Sequence, residues 1–299
     1  VRTAFARRFP NPETGGLYDH IDADDTPDMR RRPNQVFAVT VPWDELVTPE
    51  EREGIARELL DTCVLPHGVT SLDPNDPHFH PRHLDLDRYH FDEAYHNGDV
   101  WVWLTGPVVS CLLATGRVGK AWEQTRVLRD LVFDEGAAGT LPELRNGDPP
   151  ESGENVAGAV SQAWSLAEFL RNFYQDYLGV RPDLLEGRVT VAPVLPPGID
   201  WLAAPARLGA GVLGVFYERD PESGVAVCEI SADGAAPALT VDFAARVPPG
   251  EALQQRAEAL RAPDMPHQRR APRLRQRQPR HRCGQQADIA HRRAQAEGR

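Results

Sequence analysis

The spacing of apolar residues changes once along the chain, near residue 180. In TPEEREGIARELLDTCVL, Ile55, Leu59, Leu60 and Cys63 recur at helical spacing on one face. Thr48 stands as N-cap, Pro49 takes the first helical position, and Glu50, Glu51 and Glu53 load the first turns, as the helix dipole favours. That is an amphipathic helix. A shorter helix is expected over NQVFAVTV, residues 34–41, stopping at Pro42, and residues 1–8 read as the end of another. Residues 10–32 are turn-forming and acidic, and 66–95 read as a long loop rich in proline and histidine. From about Asn97 to Thr115 the pattern is apolar nearly all round, which predicts a buried helix bent at Pro107. Further helices are expected over 118–135, ended by Gly136, and from Gly158 to about Tyr177. The apolar set of the second is Val160, Ala163, Trp164, Ala167, Phe169, Leu170 and Phe173.

Beyond this point RVTVAPVL, GAGVLGVFYER, GVAVCEIS and ALTVDF alternate or run β-branched between Gly, Pro and Asp turns. Residues 187–245 therefore predict about five antiparallel strands. Helices followed by strands, with no βαβ alternation, argue against a dinucleotide-binding fold. A short helix, EALQQRAEALRA, leads into the C-terminal segment.

Composition adds bounds rather than identity. The chain has 299 residues, enough for one large or two ordinary domains. No run of eighteen apolar residues offers a membrane span, and VRTAFARRFP has no apolar leader. The net charge of -11 argues against general affinity for nucleic acid or anionic membrane. That charge is uneven: residues 265–299 hold ten basic and two acidic residues, a balance of +8 that leaves -19 elsewhere. This tail reads either as a basic arm for nucleic acid or as a segment outside the design, such as a shifted reading frame would write; the second is preferred. Cys63, Cys111, Cys228 and Cys283 share no metal-ligand spacing. Buried free thiols in a reducing, cytoplasmic compartment are the expectation.

Three polar and aromatic segments could carry chemistry: Arg32-Pro33-Asn34-Gln35; Tyr95-His96-Asn97-Gly98-Asp99-Val100-Trp101-Val102-Trp103; and Gly139-Thr140-Leu141-Pro142-Glu143 with Ser161-Gln162-Ala163-Trp164-Ser165. Each is expected to set amides, imidazole or carboxylate at a helix start beside indole rings, as a sugar ring requires. Plainer roles stay open: Trp101 and Trp103 as core, His96 as a helix cap, Glu143 as a solvated loop acid. His78, His80 and His83 are spaced like metal ligands, but a loop rich in His and Pro is the simpler reading, and no metal or cofactor is expected. No P-loop, G-x-G-x-x-G or G-x-S-x-G occurs.

RPNQVFAV, YHNGDVWVWLTGP, GTLPELRNGD and SQAWSLAEFLR together resemble the C-terminal amylo-α-1,6-glucosidase domain of glycogen debranching enzymes, and LYDHID and HGVTSLDPNDPHF are similar to two of its further segments. The resemblance covers roughly residues 1–182. It implies an (α/α)6 toroid of the six-hairpin glycosidase superfamily, carrying an inverting exo-glucosidase that removes α-1,6-linked glucose from branched α-glucan. By position in its motif Glu143 matches the general base. Arg32, Asn34, Gln35, Tyr95, His96, Trp101, Gln162 and Trp164 match positions expected to line the glucose-binding mouth.

The chain departs from the family pattern in three places: Asp99 stands where the family has Thr, Val102 where it has Pro, and Pro142 where a small polar residue is usual. The family's general acid is an aspartate in an upstream motif that this sequence lacks. With about five helices where twelve are needed, the expected fold is mainly α: the C-terminal half of an (α/α)6 toroid over 1–182, a small antiparallel β-domain over 183–250, and a short helix with a disordered basic tail over 251–299. The expected partners are a branched α-glucan and the missing N-terminal half of the toroid, and the chain alone is expected to be inactive and poorly soluble. A non-catalytic carbohydrate-binding remnant, or a glucoamylase- or trehalase-like α-glucosidase, is the alternative.

Overall fold

The helix over Pro49–Asp61 (α3) shows how local sequence sets the architecture. Thr48 Oγ1 accepts the Glu51 N–H at 3.2 Å, and the Glu51 carboxylate accepts the Thr48 N–H at 2.8 Å. This reciprocal cap satisfies donors that the first turn leaves open. Ile55, Ala56 and Leu59 are then fully buried, as is Cys63 just beyond the helix.

The computed structural model describes residues 1–41, 45–84, 86–87, 89–148, 155–220, 222–223, 225–232 and 240–244. Before α3 come α1 (Arg2–Arg8), a 3-10 turn at Pro33–Val36 and α2 (Phe37–Thr40). After it come α4 (Phe91–Asn97), α5 (Thr105–Ala114), α6 (Val118–Phe133) and α7 (Ala163–Arg171), which runs on as a π-helical turn over Asn172–Tyr177. No helix among the described residues is long and apolar enough to cross a membrane. The expected helix near residue 251 and the basic tail lie outside the described residues.

The main core forms where α3, α5 and α6 meet: Ile55, Leu59, Val108, Val109, Leu112, Ala121 and Tyr177 are buried in one cluster. α5 and α6 are joined by a tight turn at Gly116, whose φ of +73° suits glycine. Every residue from Thr105 to Leu113 is buried, as expected of a helix apolar on all sides.

Its start differs from expectation. Residues 97–104 do not belong to this helix. Val100–Trp101 is a strand (β3), and Val102–Leu104 is a 3-10 turn. Short buried apolar runs do not distinguish strand from helix by period alone. The backbone decides here, because a Cβ on Gly98 would stand 2.1 Å from the His80 carbonyl oxygen. Pro107 is the third residue of α5, within the first turn, where its missing N–H costs no bond inside the helix.

The 66–95 segment is less bare than its composition suggests. Strands β1 (Val64–Leu65) and β2 (Gly68–Val69) form a hairpin at its start. α4 begins at Phe91, with His90 Nδ1 accepting the Asp92 N–H and Glu93 accepting the His90 N–H. α7 starts at Ala163 rather than Gly158. Its expected core set divides: Phe169 packs on the cluster of Val102, Leu128, Leu131, Val132 and Leu141, while Val160, Trp164 and Leu170 are exposed, and Ser165 is the fully buried residue of the helix.

β3 pairs with β4 (Leu144–Arg145), and β4 with β5 (Val156–Ala157), both antiparallel. Six more strands follow among the described residues. β6 (Val180–Asp183), β7 (Arg188–Val191) and β11 (Thr240–Phe243) form one sheet; β8 (Trp201–Leu208), β9 (Gly211–Arg219) and β10 (Ala226–Ala232) form another. The five from β7 onward are the number expected over 187–245. Against the all-antiparallel expectation, β11 runs parallel to β7. Leu178, Val180, Val189, Val191, Leu208, Leu213 and Val215 make the core of this region.

Candidate active site

The short sheet β3-β4-β5 carries the site. Glu143 directly precedes β4. Its N–H donates to the Ala159 carbonyl at 2.8 Å, and its own carbonyl accepts the Val102 N–H at 3.2 Å. The side chain is held at both oxygens: the Tyr95 hydroxyl donates to Oε1 at 2.6 Å, and the Ala159 N–H donates to Oε2 at 2.9 Å. The fit is close on the β5 side. Gly158 adopts φ +67°, and a Cβ there would lie 2.7 Å from Glu143 Oε2.

Tyr95 projects from α4, and its position is set twice. The Trp101 indole N–H donates to the Tyr95 carbonyl at 2.6 Å, and the two rings meet edge to face at 4.5 Å. His96 stacks on Trp101 at 5.9 Å, and Trp164 lies 6.1 Å from the same ring. Glu143 therefore stands beside an aromatic wall of Tyr95, Trp101, His96 and Trp164. His96 and Trp164 are exposed, and Tyr95, Trp101 and Glu143 are half-buried. Burial and the neighbouring Glu143 push the Tyr95 phenol up to about 12, so it remains a hydrogen-bond donor across the neutral range.

Arg32 closes the C-terminal end of α4. Its guanidinium donates to the Ser71 carbonyl at 3.0 Å, to Asn97 Oδ1 at 2.7 Å and to the His96 carbonyl. A cation is favoured there by the helix dipole. Asn34 donates to Asp19 Oδ1 at 2.8 Å, and Asp19 also lies 3.7 Å from Arg32. Gln162 occupies the N-cap position of α7, its N–H donating to the Leu141 carbonyl at 2.8 Å.

The structure thus gathers Glu143, Tyr95, His96, Trp101 and Trp164 and ties Arg32 to the same α4. Gln35 is not gathered: it is buried, and its Oε1 accepts the Leu17 N–H at 3.0 Å. Nor do the expected helix starts hold throughout. Glu143 sits at a strand, and His96 at the last turn of α4.

The three loop histidines each have a partner of their own. His78 meets Asp76 at 3.1 Å, His80 stacks on Tyr89 at 4.3 Å, and His83 Nδ1 lies 2.9 Å from Asp99 Oδ2. They do not converge on a common point. Among the described residues Asp19, His20 and Asp28 could offer three ligand atoms, but Arg30 already holds both oxygens of Asp28.

Sequence patterns missed Ala159 and Ser71, which act through backbone groups and so leave no residue-type signal, while Asn97 lies in a candidate segment and accepts from Arg32.

A model of the amylo-alpha-1,6-glucosidase family matches residues 1–171. Among solved structures, the GH78 family rhamnosidase of Bacillus sp. GL1 is similar at a TM-score of 0.52 and 16% identity, over 85% of this chain and 23% of that one. The GH63 mannosylglycerate hydrolase from Thermus thermophilus gives a TM-score of 0.42 and 18% identity, over 56% of this chain and 38% of that one. No curated protein matches the chain. The chain spans under a quarter of the rhamnosidase's length. Its helical part and attached β region share the fold of the matched part of that rhamnosidase.

Proposed function

The chain belongs to the amylo-alpha-1,6-glucosidase family, and from that premise we propose that it carries the base side of an inverting hydrolase that releases α-1,6-linked glucose from branched α-glucan in cytoplasmic glycogen breakdown. The observation that carries this reading is Glu143, held at both oxygens beside the wall of Tyr95, Trp101, His96 and Trp164.

Inversion needs two carboxyl groups about 6.5–9.5 Å apart, one protonating the leaving oxygen and one activating a water on the far face of the sugar. Glu143 is the second. In its ionised form it takes a proton from that water while the Tyr95 hydroxyl and Ala159 N–H keep its oxygens aimed. Trp101 and Trp164 offer apolar faces to the C–H side of a glucose ring. Exposed His96, together with Asn34 and Gln162, offers polar groups to its hydroxyls. Arg32 fixes the end of α4 that bears Tyr95 and His96.

The acid comes from outside this chain. Residues 1–182 act as the second half of an (α/α)6 toroid, and an N-terminal half carrying an aspartate completes it. Uncovered apolar surface supports that reading: α1 has no buried residue, and α7 turns Trp164 and Leu170 outward. The residues from 183 onward form the attached β-domain.

The test is a chain completed with that helical half, given a branched limit dextrin and followed by NMR of the freed glucose. The expected first product is β-glucose. α-Glucose would overturn the inverting mechanism, and glucose release by the unaccompanied monomeric chain would overturn the need for a second half.

A further inference from the structure

Among the described residues, Asp99 is the most deeply buried of the acids that the mechanism leaves unused: it is fully buried. Its Oδ2 meets His83 Nδ1 at 2.9 Å, and Oδ1 has no hydrogen-bond partner among the described residues. A buried carboxyl with one bond is costly, so stability alone does not account for it. It also stands at a position where the family pattern has Thr.

What it holds is the imidazole of His83, and that ring reaches the candidate site. It lies 5.5 Å from the Tyr95 ring and 5.0 Å from Phe91. Tyr95 thus contacts both the His83 ring and the Trp101 ring, with its hydroxyl donating to Glu143. The Asp99–His83 pair is anchored at both roots. The Asp99 N–H donates to the Ala94 carbonyl at 3.0 Å, and its carbonyl accepts the Ser71 N–H at 3.0 Å. The His83 N–H donates to Asn146 Oδ1 at 3.2 Å, which straps the long loop to the segment just after β4. Asp92 and Glu143 are the other charged groups acting on the His83 ring.

We infer that the Asp99–His83 pair is a positioning device that holds Tyr95, and through it Glu143, in place. It rests on the reading of Glu143 as base, but its geometry is testable without turnover.

The readout is the Tyr95 hydroxyl proton of the intact chain, seen by NMR and assigned by its loss in Tyr95→Phe. Bonded at 2.6 Å to Glu143, that proton is expected to exchange slowly with water. In His83→Ala its exchange is expected to quicken by about tenfold, the order of one hydrogen bond's net worth. His83→Phe keeps a ring against Tyr95 but makes no bond with Asp99, and should quicken exchange likewise. Asp99→Asn keeps a side chain that can pair with His83 in either direction and should leave the rate slow, whereas Asp99→Ala should not. If a folded His83→Phe exchanges at the wild-type rate, or Asp99→Asn behaves as Asp99→Ala does, the inference is wrong. Those results leave Glu143 as base untouched. Conversely, a completed protein that turns over without the Glu143 carboxylate removes the base and leaves the Asp99–His83 pair.

Discussion

Helices α5 and α7 show opposite uses of apolar sequence. α5 is buried from Thr105 to Leu113 because α6, α7, α2, α3 and the turn at Val102–Leu104 surround it with residues of the same chain. α7 packs only Leu166 and Phe169 on a small core and buries polar groups beside them. Ser165 donates to the Pro142 carbonyl at 2.9 Å, and Arg171 and Asn172 converge with Ser110 on Asp176. Its Trp164 and Leu170 remain 44% and 57% exposed. The difference teaches that α5 is covered on every side by its own chain, while α7, which carries Trp164 of the aromatic wall, leaves part of its apolar stripe open.

The contrast breaks most easily in α5. Leu112→Ala removes a fully buried side chain from the main core and should cost about 2–5 kcal/mol by urea denaturation. A loss under about 1 kcal/mol would mean that this core is loosely packed.

Asp99 gives the next effect, through pH. Burial pushes its carboxyl up to about 8, so the folded chain keeps a proton that the unfolded chain releases near 4. Stability therefore falls as pH rises between those values. His83 opposes this below its ordinary value of about 6.5, because burial disfavours its charged form and the unfolded chain there binds the extra proton. The net decline should appear between about pH 6.5 and 8, at up to about 1.4 kcal/mol per pH unit. Asp99→Asn should flatten it in urea titrations at several pH values. An unchanged slope would assign the decline to other groups.

At the rim, Gly158→Ala forces a methyl group against Glu143 Oε2 and an alanine into φ +67°. A loss of about 1–2 kcal/mol is expected, with weaker quenching of tryptophan fluorescence by glucose. Wild-type stability and quenching would show that β5 gives way easily. The smallest effect belongs to α7. Leu170→Ser should change the stability of the chain alone by less than about 0.5 kcal/mol. A loss above about 1 kcal/mol would show that this face is already covered.

The same contrast marks what could be read in the sequence. α3 and α6 were legible because their apolar residues keep a helical period between clear end signals. The start of α5 was not, because a run buried on all sides has no period to show. α7 was legible only in part: its apolar stripe is real, but Phe169 packs on the chain's own core while Trp164 and Leu170 stay exposed. Ordered motifs brought Glu143, Tyr95, Trp101 and Trp164 into view together, and the structure gathers them. Gln35 belongs to the same motif as Arg32, yet its amide satisfies the Leu17 N–H in the interior. His83 and Asp99 meet only because the long loop crosses Gly98 closely, a tertiary event that no local pattern encodes.

The central claim is that Glu143 activates the water. Glu143→Gln in the completed protein tests it most directly, since the amide retains nearly the same shape but cannot accept the proton. With the sugar's affinity unchanged, kcat should fall by about 10²–10⁴-fold. A kcat equal to wild type would contradict the claim.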